Sequence, residues 1–290
     1  MKTGNRGTPP DILRTEPDKT GLVITSYLVS EGATDRGYVW SAPYGKHAWI
    51  TGSVPENREE FILKASVPDP PMMLATMVRE RLLSEGFEIS GEAVTARTLS
   101  DFTDSGFTSL SVISSPPLAE IVKVLNHESI NLFAEHLVKQ MGFEATGLGT
   151  AEAGLTVIRN YIETSGLPWP GIFIEDGSGV APLNALNSIF VASLVRSMVN
   201  DPMFAATFRD LLPKAGAEGT MKSYFRDPLF TGHLRAKTGS MTRVRSFAGL
   251  FTGNSGREFA FCVMVNNYTG TPATVIRHVE ELMQYLIINY

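Results

Sequence analysis

Lys237, Thr238 and Gly239, followed by Ser240, stand in the alternating segment LRAKTGSMTRV at residues 234–244. A lysine on a strand edge supplies a fixed positive charge, and a neighbouring threonine hydroxyl can bond a carboxylate. A glycine beside them lets an extended ligand lie against the backbone. A second set, Ser129 and Asn131, lies in NHESIN between two segments of helical periodicity. Two residues apart in such a junction, a hydroxyl can pass protons while an amide holds a carbonyl in the same cleft. Each set alone has a plainer meaning: an exposed strand start, and a serine capping a helix. Lys-Thr-Gly also occurs at 2–4, although average residue usage yields such a triplet in only about one chain of this size in thirty. The triplet therefore counts only in company.

Other chemistries find less support. No serine or threonine is followed three positions on by lysine, so a serine activated by a lysine one helical turn later is absent from the 290 residues. Asp176-Gly177-Ser178-Gly179 has aspartate where a nucleophile elbow needs glycine, and reads as a tight turn. His47, His127, His136, His233 and His278 show no metal-ligand spacing. GLGTAEAG lacks the third glycine of a dinucleotide loop, and no P-loop pattern occurs. The single cysteine, Cys262, lies in FAFCVMV and reads as an inert buried thiol.

The elements that must position these groups follow from periodicity. The polar first ~20 residues read as a flexible lead-in. Short apolar segments between turn signals over 22–63 (GLVITSYLV, GYVWSAP, KHAWITGSV, EEFILKASV) predict antiparallel strands. Asp69 and the prolines after it open a helix that Gly86 stops, with a core-facing stripe of Met73, Met77, Leu82 and Leu83. FTSLSVIS predicts a short strand. Leu118, Ile121, Val122 and Leu125, and then Leu132, Phe133, Leu137 and Met141, mark two helices. Helical periodicity continues through AGLTVIRNYIETSG and NALNSIFVASLVRSMVN. Three strands follow, at LRAKTGSMTRV, SFAGLFTG and EFAFCVMVNNY, with GNSGRE as a hairpin loop and PATVIRHVEELMQYLIINY as a closing helix. Strands, helices and then a meander imply an α+β fold.

The formal charge of −5 and the lack of a basic run argue against nucleic-acid binding. The longest apolar runs, such as Phe259 to Val265, are too short to cross a bilayer as a helix. MKTGNRGTPP lacks the apolar core of a secretory signal.

In order and company, the motifs SPPL, Ser129-Ile130-Asn131, Asp176-Gly177-Ser178-Gly179 and Lys237-Thr238-Gly239 resemble those of the D-alanyl-D-alanine carboxypeptidase/endopeptidase family. These are the class C low-molecular-mass penicillin-binding proteins, called DacB-like. The likeness covers roughly residues 20 to 290. It departs at Val180-Ala181-Pro182-Leu183-Asn184, where the family usually reads Leu-Ser-Arg-x-Asn; the arginine is missing and Asn184 keeps its place. The family's Ser-x-x-Lys box, which lies near its amino terminus before inserted domains, is also missing.

The resemblance implies a penicillin-binding, β-lactamase-like transpeptidase domain in which helices flank an antiparallel sheet. Residues 106–290 would be its carboxy-terminal part, and 1–105 the remainder of an inserted, mostly β domain. It implies a serine hydrolase of peptidoglycan stem peptides, needing neither metal nor organic cofactor and reactive towards β-lactams. In that scheme Ser129 relays protons, Lys237 polarises the relay and attracts the terminal carboxylate, and Thr238 bonds that carboxylate. Asn131 holds the substrate amide, Gly239 admits the ligand backbone, and the Ser240 N–H forms half of an oxyanion hole. The expectation is an amino-terminally truncated chain, inactive alone, from a periplasmic or otherwise extracytoplasmic protein. An exposed sheet edge would be open to homodimer formation. The alternative is a short protein that binds muropeptides or a partner without catalysis.

Overall fold

The structure, a computed structural model, describes every residue except 19–20, 100–101, 104–105 and 107. It falls into two compact units, Met1–Ser111 and Val112–Tyr290.

In the first unit, β1 (Val23–Ser26), β2 (Val29–Ser30), β3 (Arg36–Trp40) and β4 (His47–Val54) form one sheet around β4. Only β3 pairs antiparallel to β4; β1 and β2 run parallel to it, β1 against His47–Ile50 and β2 against Ser53–Val54. The antiparallel expectation fails there because strand character fixes which residues pair, while pairing direction is set by chain routing. No strand forms at EEFILKASV, yet Phe61 and Leu63 still pack on the core of Leu28, Ile50 and Val54. The lead-in is also more ordered than its composition suggests. Lys2 bridges to Asp11, the Met1 ammonium donates to the Phe61 carbonyl at 2.8 Å, and Thr3 is 3% exposed. The amino-terminal Lys-Thr-Gly is thus structural: Thr3 Oγ1 accepts from the Arg58 N–H, and Lys2 pairs with Glu59. In α1 (Pro70–Ser84), Asp69 caps the first turn by accepting from Met72 N, as expected. Its methionine stripe is not core; Met73 and Met77 are half-buried, and Leu74 and Val78 are exposed.

The second unit carries α2 (Leu118–Glu128), α3 (Asn131–Thr146), α4 (Ala151–Thr164), α5 (Ser188–Asn200) and α6 (Ala205–Leu211). The antiparallel sheet β5 (Leu234–Met241), β6 (Val244–Thr252), β7 (Glu258–Asn266) and the closing helix α7 (Pro272–Asn289) follow. Alternation along the strands sorts their side chains onto two faces. On one, Leu234, Ala236, Phe247, Phe251 and Phe261 pack with Val275, Val279, Met283 and Ile287 of α7. On the other, Leu250 and Ala260 meet Val195 of α5, with Leu212 and Phe208. This is the expected α+β arrangement of an antiparallel sheet flanked by helices. The strand expected at FTSLSVIS does not form among its described residues; Leu110 and Ile113 are 97% and 95% exposed.

Helices α3 and α4 cross where both carry glycine. A Cβ at Gly154 would lie 1.8 Å from the Val138 carbonyl oxygen, and one at Gly142 would lie 2.7 Å from Gly154 N. We expect Gly154→Ala to lower the stability of this unit by about 1–3 kcal/mol, the usual cost of overpacking. Urea denaturation followed by circular dichroism checks this; an unchanged midpoint contradicts it.

Candidate active site

Helix α2 ends at Ser129, which caps it in the left-handed conformation (φ 55°, ψ 52°), and α3 begins at Asn131. Ser129 is thus a C-cap, not the N-cap its residue type suggests. A non-glycine residue there carries backbone strain of roughly 1–3 kcal/mol, which the surroundings must hold in place. What they hold is a hydroxyl aimed at β5: Lys237 Nζ donates to Ser129 Oγ at 2.7 Å, across 108 residues of sequence. The same ammonium donates to the Thr238 carbonyl at 2.8 Å. Its partners are neutral oxygens, and Lys237 enters no ion pair with a described residue. Burial therefore goes uncompensated and holds its pKa below the ordinary 10.5.

Strand β5 is an edge strand. The Thr252 N–H donates to the His233 carbonyl directly opposite it. Alternation then points the backbone groups of Lys237 and Gly239 towards β6, and those of Leu234, Ala236, Thr238 and Ser240 outwards. Residues 213–215 satisfy the first outward pair, through Ala215 N to the Leu234 carbonyl and Ala236 N to the Pro213 carbonyl. Beyond them the edge is open, and the Ser240 N–H finds no backbone partner among the described residues. Gly239 lies so close to β6 that a Cβ would sit 2.2 Å from Ser246 Oγ.

Asn131 occupies the first position of α3 with its side chain exposed and without a hydrogen bond to any described residue. Sequence reasoning missed Thr220. It lies in a 3-10 turn over Gly219–Ser223, and its Oγ1 is 2.9 Å from Thr238 Oγ1. A lone threonine eighteen residues before the strand carries no signal of its own. The only hint is the preceding Gly219, which takes φ +47°.

The Asp176 segment is the expected turn, closed from within. Asp176 accepts from the backbone N–H groups of Gly179, Val180 and Ala181 and from the Asn184 amide, all at 2.7–2.9 Å. Partial burial pushes its carboxyl up, but the Asn184 amide and the three N–H groups outweigh this and hold it below 3.8. Ser178 N donates to Glu135 of α3 at 2.9 Å, so the turn pins the helix that Asn131 begins. Asn184 also accepts from Glu175 N, which closes the turn without the arginine the resembled family carries. Cys262 is half-buried, and burial pushes its thiol up to about 11, which leaves it a poor nucleophile. No group of three or more potential metal ligands occurs among the described residues.

Comparison with known proteins decides the family. The model of the D-Ala-D-Ala carboxypeptidase 3 (S13) family matches residues 29–286. The chain belongs to that family. It is 30% identical over 226 residues to a D-alanyl-D-alanine carboxypeptidase of Actinomadura sp. (strain R39), covering 76% of this chain and 41% of the relative. It is 30% identical over 177 residues to carboxypeptidase DacB of Mycolicibacterium smegmatis, covering 59% and 38% respectively. The chain therefore spans about two fifths of the length of these relatives. Penicillin binding protein 4 (dacB) of Haemophilus influenzae, solved in complex with a β-lactam, shares the fold. Its TM-score is 0.79 at 19% identity, covering 92% of this chain and 64% of that one. DacB-like relatives thus confirm the resemblance seen in the motifs. No helix among the described residues is long and apolar enough to cross a membrane.

The closed turn gives a stability prediction. Because the folded pKa of Asp176 is depressed, its contribution is present above the unfolded value and is lost as pH falls through the folded one. At neutral pH Asp176→Ala is expected to cost about 1–2 kcal/mol, after allowance for partial exposure. The gap between wild type and variant should narrow below pH 3.8. Denaturation curves from pH 7 to 2.5 measure it; a constant gap contradicts the assignment.

Proposed function

We propose that this chain forms the carboxylate-binding wall of a D-Ala-D-Ala carboxypeptidase/endopeptidase cleft and that these 290 residues alone do not form an acyl-enzyme. The supporting observation is the 2.7 Å bond from Lys237 Nζ to Ser129 Oγ, which joins two motifs far apart in sequence. The ligand is a peptidoglycan stem peptide ending in D-Ala-D-Ala, or a β-lactam that mimics it. A protein with such a substrate works outside the cytoplasm.

In the reaction a serine attacks the carbonyl of the penultimate D-alanine, its proton passing to a neighbouring lysine. Neither group has a candidate here, since no serine precedes a lysine by three. The tetrahedral oxyanion takes a hydrogen bond from the open Ser240 N–H. As the C–N bond breaks, the departing amine receives a proton through the Ser129 hydroxyl. Lys237, positive and short of counter-charge, favours that transfer and draws in the terminal carboxylate. Thr238 bonds the carboxylate and Asn131 the substrate amide, while Gly239 leaves room for the ligand backbone. Water then hydrolyses the ester. No step calls on a metal or organic cofactor.

The missing Ser-x-x-Lys box equally supports a second reading, a protein that binds muropeptides or a partner without cleaving them. Penicillin labelling of the source cells separates the two. A labelled polypeptide containing this sequence, acylated at a serine outside the 290 residues, supports the hydrolase; the same polypeptide recovered unlabelled supports the binder. The purified 290-residue chain is expected to give no covalent adduct with a fluorescent penicillin on denaturing gels. A labelled band, with the modified serine mapped by mass spectrometry, would overturn the proposal. For self-association, we propose the β7 edge, which has β6 as its only strand partner among the described residues.

A further inference from the structure

The sheet of the first unit hides one face and shows the other. Ile24, Val39 and Ile50 face the core with Leu28 and Val54. Register fixes what stands on the opposite side. In one row Tyr38 lies opposite Thr51; in the next, Trp40 and Thr25 flank Trp49; in the third, Val23 lies opposite His47. The Tyr27 N–H donates to the Ile50 carbonyl, which carries the β1 register one residue further and sets Tyr27 opposite Thr51 in the first row. A solvated sheet face ordinarily carries polar side chains. On this one the rings of Tyr27, Tyr38, Trp40 and Trp49 remain 43–65% exposed. Their orientation is held. Trp40 Nε1 donates to Thr51 Oγ1 at 2.8 Å, diagonally across the strand pair, so the indole leans along the sheet instead of standing out from it. It lies beside Tyr38, with centroids 6.0 Å apart and planes 31° from parallel, and His47 stacks on Trp49 at 5.7 Å and 19°.

We propose that this face binds the glycan strand of peptidoglycan by stacking its pyranose rings on the aromatic side chains. The choice of glycan rests on the proposed function, because the stem-peptide substrate is carried on such a strand. A pyranose with equatorial substituents turns weakly positive C–H groups to both of its faces, and these are drawn to the negative face of an aromatic ring. From Tyr38 to Tyr27 is two strand spacings, about 10 Å, which is room for two sugar rings. Charge separates this partner from others. None of the eight outward positions in the three rows is Asp, Glu, Lys or Arg. An anionic membrane or a nucleic acid would require basic residues there. Sugar rings require only flat apolar surface with polar edges, and the Tyr, Trp and Thr side chains supply both.

The test is binding of soluble glycan strands, freed of peptide by an amidase, to the 290-residue chain. Calorimetry should show binding to wild type. Trp40→Ala combined with Trp49→Ala should weaken it by at least about tenfold, while Trp40→Phe, which keeps a ring face, should stay nearer wild type. An NMR titration needs no variant. The strands should shift the indole N–H signals of Trp40 and Trp49 and leave that of Trp169, the third tryptophan, in place. Absence of binding, a shift at Trp169 alone, or wild-type affinity in the folded double variant would overturn the inference. So would self-association, or binding to phosphatidylglycerol vesicles, that the double variant abolishes in a chain that ignores glycan. The strands hold no D-alanine, so failure here leaves the proposed cleft standing, and a failed penicillin test does not alter this readout.

Discussion

An ammonium group drawn partly out of water must find oxygens to replace its hydration. Lys237 finds two neutral ones, the Ser129 hydroxyl and the Thr238 carbonyl. That arrangement leaves a positive charge without a carboxylate to cancel it, at the open end of a sheet edge. Most of the second unit can be understood as the means of keeping it so. The contact requires the end of α2 to meet β5, which in turn requires Ser129 to hold a left-handed backbone that a serine adopts only under constraint. An attached carboxylate would make the lysine more comfortable and less useful, since the field available to an anionic ligand would be spent internally.

The supporting structure acts on both partners. Beneath β5, aromatic packing of Phe225 against Phe230 and Phe247, at centroid distances of 5.1 Å, fills the space between the sheet and α7. Residues 213–215 bond the first half of the strand edge and stop short of Thr238, so pairing and openness are divided along one strand. On the helical side, the Asp176 turn ties its own backbone together and then ties itself to Glu135. A Cβ on Gly177 would lie 2.7 Å from the Ala134 carbonyl, so turn and helix touch backbone to side. These devices fix α3, and with it the junction from which Ser129 projects.

Much of this was legible in the sequence because it depends on short-range rules. Lysine, threonine and glycine on an alternating segment, a polar break between two helical periods and Asp-Gly-Ser-Gly between helices each specify a local element. Their order specified the family. What was not legible depends on routing and on tertiary constraint. The parallel pairing of β1 and β2 with β4 follows from how the chain returns, which alternation does not encode. Order in the first eleven residues arises from Thr3 and Met1 finding partners near residue 60. The boundary at Ser129 is legible, but its left-handed C-cap conformation and its contact with Lys237, 108 residues away, are not. Thr220 was invisible because what distinguishes it is a neighbour eighteen residues away.

The cleft depends on the electrostatic state of one lysine, and NMR titration of the Lys237 side-chain Cε signal measures it directly. The midpoint should lie below 10.5 in the free chain, because burial is not offset by a counter-charge. It should move upward when N-acetyl-D-Ala-D-Ala binds, because a carboxylate favours the charged form. A midpoint at or above 10.5 in the free chain, or one that the peptide leaves unmoved, would contradict an uncompensated Lys237 that receives a carboxylate.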